Sequence, residues 1–264
     1  MIKKVQNLYY HREMLKMFIV RDLKERYAGS IMGLSWTILN PLILLVIFTF
    51  VFRVVLQVKL GGDGGIQHFA LYLFCGMLPW LAFQEGIVRS TSVVIENANL
   101  IKKVLFPVKI LPLYRVLASV ISQLAGTFIL LVAIAFILHK FTLALLFFPL
   151  LLVLQIAFTL GMSWFLATIN VYLRDTAQLV PSLLMVWLYI TPIFYPPTLI
   201  PAQFKLIVWL NPMAHLVDAY RRIFLEGVFP EIYQIGLLLG FSMLTLLIGF
   251  TVFQNAQRNF ADLI

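Results

Sequence analysis

Residues 141–173 read FTLALLFFPLLLVLQIAFTLGMSWFLATINVYL, an unbroken run without one charged side chain. A helix needs about 20 predominantly apolar residues to cross a hydrocarbon core of about 30 Å. The run exceeds that length, so its surplus is expected in loops, interfacial segments or tilt. Outward from it, charge-free runs recur at 34–52, 64–84, 116–138, 176–204 and 232–257. The 264-residue chain is 62% hydrophobic and 12% charged, with a mean hydropathy of +0.96. These values place it in a membrane. The expected fold is an all-α polytopic membrane protein forming a single transmembrane domain, with helices at 31–56, 69–90, 113–138, 144–170, 176–195 and 232–255.

The first apolar run follows some 30 mostly polar residues and no small-residue cleavage pattern precedes it, so span one reads as a permanent anchor. The single cysteine, Cys75, excludes an internal disulfide and reads as an apolar filler of span two. Fourteen of the 20 Lys and Arg residues fall before span one, between spans two and three, after span four or after span six. That side is expected to be cytoplasmic, with both termini on it. The net charge of +9 is then mostly an orientation signal, and nucleic acid is not needed as a partner.

Residues 1–30 carry a helix expected to lie in the cytoplasmic interface. Within 8–27, Leu15, Phe18, Ile19 and Leu23 recur at helical spacing, while Arg12, Asp22 and Arg26 intrude on the apolar side. Snorkelling is the favoured account of the intruding charges, over pairing with another subunit. Gly29 and Gly33 then supply a bend or close packing, Trp36 an interfacial anchor and Pro41 a turn further in. The first external loop is short and glycine-rich, and Lys140 marks a tighter external turn. Residues 196–230 are expected to form short external helices that dip into the membrane and pack on protein, because prolines 192, 196, 197 and 201 stop span five.

The stretch 96–112, ENANLIKKVLFPVKILP, faces the cytoplasm in this topology. Ile101, Val104, Leu105 and Val108 stand at i, i+3, i+4 and i+7, Lys102 and Lys103 point off that face, and Pro107 ends the turn. Such a helix, placed at 96–107, rests on lipid or inserts its apolar face into a groove of a soluble partner. Glu85 and Arg89 read as an i, i+4 pair, and Arg53 as a snorkelling end of span one. Residues His139, His215, Asp218 and Arg221 form no catalytic or metal-binding spacing. Ser163 has no matching histidine at membrane depth, so a membrane hydrolase is disfavoured.

Arg21-Asp22-Leu23-Lys24, Arg26-Tyr27, Gly29-Ser30, Gly33, Trp36 and Pro41 resemble the N-terminal motif of type-2 ABC exporter permeases, above all the transmembrane subunit of exporters of lipid-linked bacterial polysaccharide (O-antigen, capsule, teichoic acid). Asn99-Leu100-Ile101-Lys102-Lys103 with Phe106-Pro107 is similar to the coupling helix of that subgroup. Tyr172 with Arg174-Asp175, Pro192-Ile193-Phe194-Tyr195, and Asn211-Pro212 with Tyr220-Arg221 extend the resemblance over nearly the whole chain. It implies a permease of the bacterial plasma (inner) membrane that forms a homodimer, binds two copies of a separate ABC ATPase subunit and moves a lipid-linked glycan through membrane lipid.

No GxxxxGK[ST] phosphate loop occurs in the sequence, so no cofactor is expected in this chain and ATP and Mg²⁺ belong to the partner. The resemblance assigns the ATPase contact to residues 99–103, Phe106 and Pro107, with Arg21, Asp22, Lys24 and Arg26 as a second contact. It makes 196–230 external gate helices and has spans one and five line the path. Aromatic rings suit the apolar faces of sugars, and Phe48, Phe52, Trp187, Tyr189, Phe194 and Tyr195 are the candidates for that lining. A drug or simple-lipid exporter, or an ion-coupled transporter using Glu85 as its proton site, stand as alternatives.

Overall fold

The computed structural model describes residues 12–26, 28–55, 67–103, 106–139 and 142–264, and every regular element among them is helical. The first external loop, the turn at Lys140, Tyr27, Val104 and Leu105 fall outside the described residues, as do the side chains of Arg53 and Lys103. Five helical segments are long and apolar enough to cross a membrane: Gly33–Phe52, Phe69–Thr91, Ile110–Ile137, Leu143–Tyr172 and Ile232–Leu263.

The chain opens with α1 (Arg12–Arg26) and bends through Gly29 and Gly33, whose φ angles of 80° and 50° lie in the left-handed region that glycine adopts without strain. Next come α2 (Trp36–Thr49), which continues as a π-helical segment Phe50–Val55, and α3 (Gln67–Thr91). Of the helix expected at 96–107, the described part is α5 (Ala98–Lys103), set off from the preceding turn α4 (Val93–Glu96). The two part at Asn97, whose side-chain amide donates to the Val93 carbonyl at 2.8 Å and so competes with the helical ladder. Beyond Pro107, α6 (Ile110–Ile137) begins three residues earlier than the apolar pattern suggests.

A 3₁₀ turn, Leu143–Phe147, leads into α7 (Phe148–Tyr172). The fifth apolar segment forms only α8 (Thr176–Ile190), 15 residues or about 22 Å at 1.5 Å per residue, shorter than the span expected at 176–195. Backbone after Ile190 leaves the helix at Thr191, in extended conformation, and proceeds through Pro192 and Pro196. Two 3₁₀ turns and α9 (Lys205–Trp209) precede α10 (Pro212–Arg221), and a π-helical turn, Arg222–Glu226, follows it. The last elements are α11 (Ile232–Ala256) and α12 (Phe260–Leu263).

Helix α3 is the hub. It packs against α2, α6, α7, α8 and α10, and Phe74, Trp80, Phe83 and Ile87 are fully buried in the main core. Helix α10 is buried along nearly its whole length, with Met213, Leu216, Val217 and Tyr220 inside that core. In lipid, apolar helices gain little from leaving their solvent, so close packing sets the interface. The pair α7/α11 shows this most plainly. A Cβ on Gly249 would stand 1.9 Å from the Gly161 carbonyl oxygen, and a Cβ on Gly161 would stand 2.4 Å from the Thr245 backbone. Replacing Gly249 by Ala forces two main chains apart and is expected to destabilise the fold by about 2 kcal/mol or more, measured as denaturant-induced unfolding in detergent micelles. The same change at Gly240, where a Cβ meets nothing within 4 Å, is the control.

Candidate functional site: an ion cluster, a coupling segment and an aromatic mouth

Helix α1 lies against α6, and this contact creates a buried charge cluster on the basic side of the bundle. Asp22, only 1% exposed, accepts hydrogen bonds from Arg26 Nε at 2.9 Å, Arg89 Nη2 at 2.8 Å and Arg115 Nη1. Arg26 also meets Glu85, and its Nη1 donates to Ser122 Oγ at 3.0 Å. Arg115 reaches on to Glu96 at 2.9 Å, which in turn accepts from Ser92. Three arginines thus face three carboxylates drawn from α1, α3, α4 and α6.

This arrangement corrects the reading of Asp22 and Arg26 as snorkelling charges. A carboxylate this deeply buried is tolerable only with cationic partners and hydrogen bonds, and all three arginines come from the same chain. Glu85 and Arg89 do approach as an i, i+4 pair, at 3.7 Å, but Arg26 and Asp22 are their closer partners. Arg12 pairs with Glu13 at 3.6 Å. Of the four residues assigned to a second partner contact, Arg21 and Lys24 are exposed, Arg21 pairing with Glu25 at 3.1 Å, whereas Asp22 and Arg26 are turned inward.

In the stretch 96–112, the described apolar side chains of the stripe turn toward the protein itself and not outward as in a docking helix: Val108 is buried in a second core with Leu111, Tyr114, Phe253 and Phe260, and Ile101 and Phe106 lean against it. Phe18 of α1 joins the two parts, its ring 5.6 Å from Phe106 edge-on and 5.2 Å from Tyr114 stacked. What α5 presents outward is Asn99 and Lys102, with Leu100 half-buried and Pro107 half-buried after it. The α12 turn also contacts α5, and its Phe260 is fully buried in that same core.

On the opposite side, the six aromatic candidates separate. Phe48 and Phe52 lie 6.2 Å apart, and Phe52 is 4.9 Å from Phe69. Trp187 is half-buried against the main core, its ring meeting Trp80, Phe83 and Phe158 within 6.4 Å and its indole N–H donating to Asn211 Oδ1 at 2.9 Å. Phe194 is half-buried 5.8 Å from Tyr189. Tyr189 and Tyr195 flank a cavity of about 480 Å³ shared with Phe204 and Ile207. The Tyr195 hydroxyl donates to the Tyr189 carbonyl at 2.8 Å, and partial burial holds that phenol above its ordinary pKa.

A helix-only bundle with a buried ion cluster beneath its spans is compatible with many carriers, and the sequence decides among them. It matches the family described as ABC-2 type transporter over residues 13–225. The chain belongs to that family. An O-antigen export system permease protein RfbA from Myxococcus xanthus is 31% identical over the full length of both chains. Another RfbA, from Klebsiella pneumoniae, is 31% identical over all of this chain and 99% of its own. The polysialic acid transport protein KpsM of Escherichia coli is 23% identical over 92% of this chain and 93% of its own.

Within this ABC-2 chain, two polar sites went unrecognised in the sequence. Arg221 is 2% exposed and caps the broken end of α8, donating to the carbonyls of Pro192 and Ile193 at 2.7 Å each while lying 3.4 Å from the centre of the Tyr72 ring. Gly76 makes the room, since a Cβ there would stand 2.8 Å from the guanidinium. Deeper in the bundle, Gln123, Gln155 and Tyr220 bond to one another at 2.8 to 3.0 Å. Gln123 and Gln155 showed only as polar residues inside apolar runs, whereas Tyr220 and Arg221 stood in a resemblance motif with no role assigned to them.

Substituting Asp22 by Asn leaves the arginines short of one charge in a buried place and is expected to cost about 3 kcal/mol or more of stability. Arg21→Ala, on the exposed face, should stay within about 0.5 kcal/mol. Thermal aggregation of the detergent-solubilised proteins compares the two.

Proposed function

We propose that this chain is the membrane-spanning permease subunit of an ATP-driven ABC exporter that moves a lipid-linked polysaccharide from the cytoplasm across the bacterial inner membrane. The observation that carries this reading is end-to-end similarity, at 31% identity, to an O-antigen export permease on top of the family match. The chain has no phosphate loop, so hydrolysis of ATP and binding of Mg²⁺ fall to a separate ABC ATPase, two copies of which serve a homodimer of the permease.

In this reading the basic side is cytoplasmic, and the ATPase contact is made by the polar rim of the coupling segment. Asn99 and Lys102 of α5 form one part of it. The other is the exposed shallow groove of α1 bordered by Lys16, Met17, Val20, Arg21 and Lys24. A push on α5 reaches the spans through the second core and through the Arg115–Glu96 pair. The second copy of the permease covers the outward face of span one, Gly33–Phe52, no residue of which is fully buried within the single chain, and the exposed face of α8 at Leu179, Leu183, Val186 and Tyr189. Between these faces the aromatic rings of Phe52, Tyr189 and Tyr195 offer stacking surfaces to sugars. The ion-coupled alternative loses its ground, because Glu85 is engaged by Arg26 and Arg89 rather than standing alone at depth.

Reversing charge at Lys102 to Glu is expected to lower glycan export and cargo-stimulated ATP hydrolysis by about tenfold, equivalent to about 1.4 kcal/mol at the contact, with the permease still folded. Ile101→Asp should instead collapse the second core and reduce the amount of folded permease. Export in cells, ATP turnover of the purified complex and a thermal melt of each variant separate the outcomes. Wild-type export by Lys102→Glu would remove α5 from the contact.

A further inference from the structure

An open groove of about 580 Å³ runs between α2, α3 and α6, away from the aromatic mouth and ending on the ion cluster. Its chemistry changes along its length. Leu44, Leu78 and Leu81 make one wall apolar, and Leu81 is 39% exposed toward the surroundings of the bundle. Eleven residues beyond Leu78 on α3, about 16 Å along the axis, Arg89 closes the floor beside Arg26 and Glu85. Between floor and wall stand Asn40, Gln84 and Ser122. Gln84 Oε1 accepts from the Trp80 indole at 3.0 Å and Ser122 Oγ from Arg26 at 3.0 Å, which leaves the Gln84 amide nitrogen and the Asn40 amide facing the groove, a costly placement without a polar occupant. An acyl chain offers them nothing, and a sugar hydroxyl suits them.

The floor has a donor to give. Arg89 commits Nη2 to Asp22 at 2.8 Å, but its Nη1 stands 3.7 Å from Glu85, too far for a hydrogen bond. A guanidinium with one arm anchored and the other loosely held is a receptor for a phosphate oxygen. Glu85, 31% exposed at its side chain, can turn out of the way.

We infer that this groove receives the junction of a lipid-linked cargo: the phosphate on Arg89, the first sugar against Asn40 and Gln84, and the lipid chain along Leu44, Leu78 and Leu81. The inference rests on the export function proposed above and adds the loading site to it. It also gives that site a route to the coupling segment. Arg89 and Arg115 share one oxygen, Oδ1 of Asp22, and Arg115 holds Glu96 at the end of α4. A phosphate that draws Arg89 toward the groove therefore leaves Oδ1 to Arg115, with Arg26 still on Oδ2, and shifts the segment that contacts the ATPase.

The test uses the permease with its ATPase in neutral lipid vesicles and follows ATP hydrolysis. The probe is glucosyl dodecyl diphosphate, the phosphate-free counterpart is dodecyl glucoside, and phosphatidylglycerol is the competing bulk anionic lipid. The diphosphate is expected to stimulate hydrolysis and dodecyl glucoside to leave it unchanged. Asn40→Leu, Gln84→Leu and Arg89→Lys, in complexes that assemble normally, are expected to raise the half-stimulating probe concentration about tenfold each, the effect of one lost hydrogen bond to a charged or sugar partner. Equal stimulation by dodecyl glucoside, displacement of the probe by equimolar phosphatidylglycerol, or unshifted half-stimulation in all three variants overturns the inference. ATP-driven glycan movement by the unaltered complex is measured in parallel. If it occurs while the probe results fail, only the loading site is wrong; if it is absent, the export reading itself fails.

Discussion

Asp22 sets the terms for the basic half of this protein. Its carboxylate sits at 1% exposure beneath the spans, where an unpaired charge would cost several kcal/mol. The remedy draws guanidiniums from three separate places: Arg26 one turn along the same helix, Arg89 near the end of α3 and Arg115 near the start of α6. Each of those helices is thereby fixed in height and rotation relative to α1. The aromatic contacts of Phe18 with Phe106 and Tyr114 repeat the attachment a turn away. A helix that composition assigns to the membrane surface is consequently a built-in part of the bundle.

The opposite half answers to a different demand, that every main-chain polar group at membrane depth be satisfied from within. Helix α8 stops short, and its trailing carbonyls at Pro192 and Ile193 are taken up by Arg221, while Thr191 and the Trp187 indole are bonded to Asn211. Both partners, Arg221 and Asn211, come from one short helix and its cap, which explains why α10 is buried so completely. The arginine gains an aromatic face at Tyr72 and the partial charges of two carbonyls, a solution that needs no carboxylate.

The membrane class, the approximate places of the helices and the basic side could all be read from the sequence, because they follow from long apolar runs and the placement of Lys and Arg. Residues such as Leu154 and Phe158 sit where a continuous apolar helix puts them. The shortness of α8 was half visible, since Pro192 marks a stop while Thr191 and its neighbours are apolar enough to prolong the pattern. Sidedness of individual faces was less legible. Ile101 and Phe106 form an apolar stripe, but a stripe does not say whether it meets another protein or its own core, and here Phe18, Phe253 and Phe260 claim it. Asp22 and Arg221 were undecidable alone, because their partners lie far away in the chain, 93 residues off for Arg115 and 28 or more for the capped carbonyls.

Main-chain contact between Gly161 and Gly249 has a mechanical corollary. Where they cross, the two helices touch through bare backbone, while Ser242 Oγ donating to the Leu154 carbonyl at 2.9 Å and the Trp164 ring 5.3 Å from Phe250 lock the seam on either side, so sliding one helix along the other breaks all three contacts. Helices α7 and α11 therefore form one interlocked pair. Against it stand the more exposed members, the Gly33–Phe52 segment, none of whose residues is fully buried, and the truncated α8.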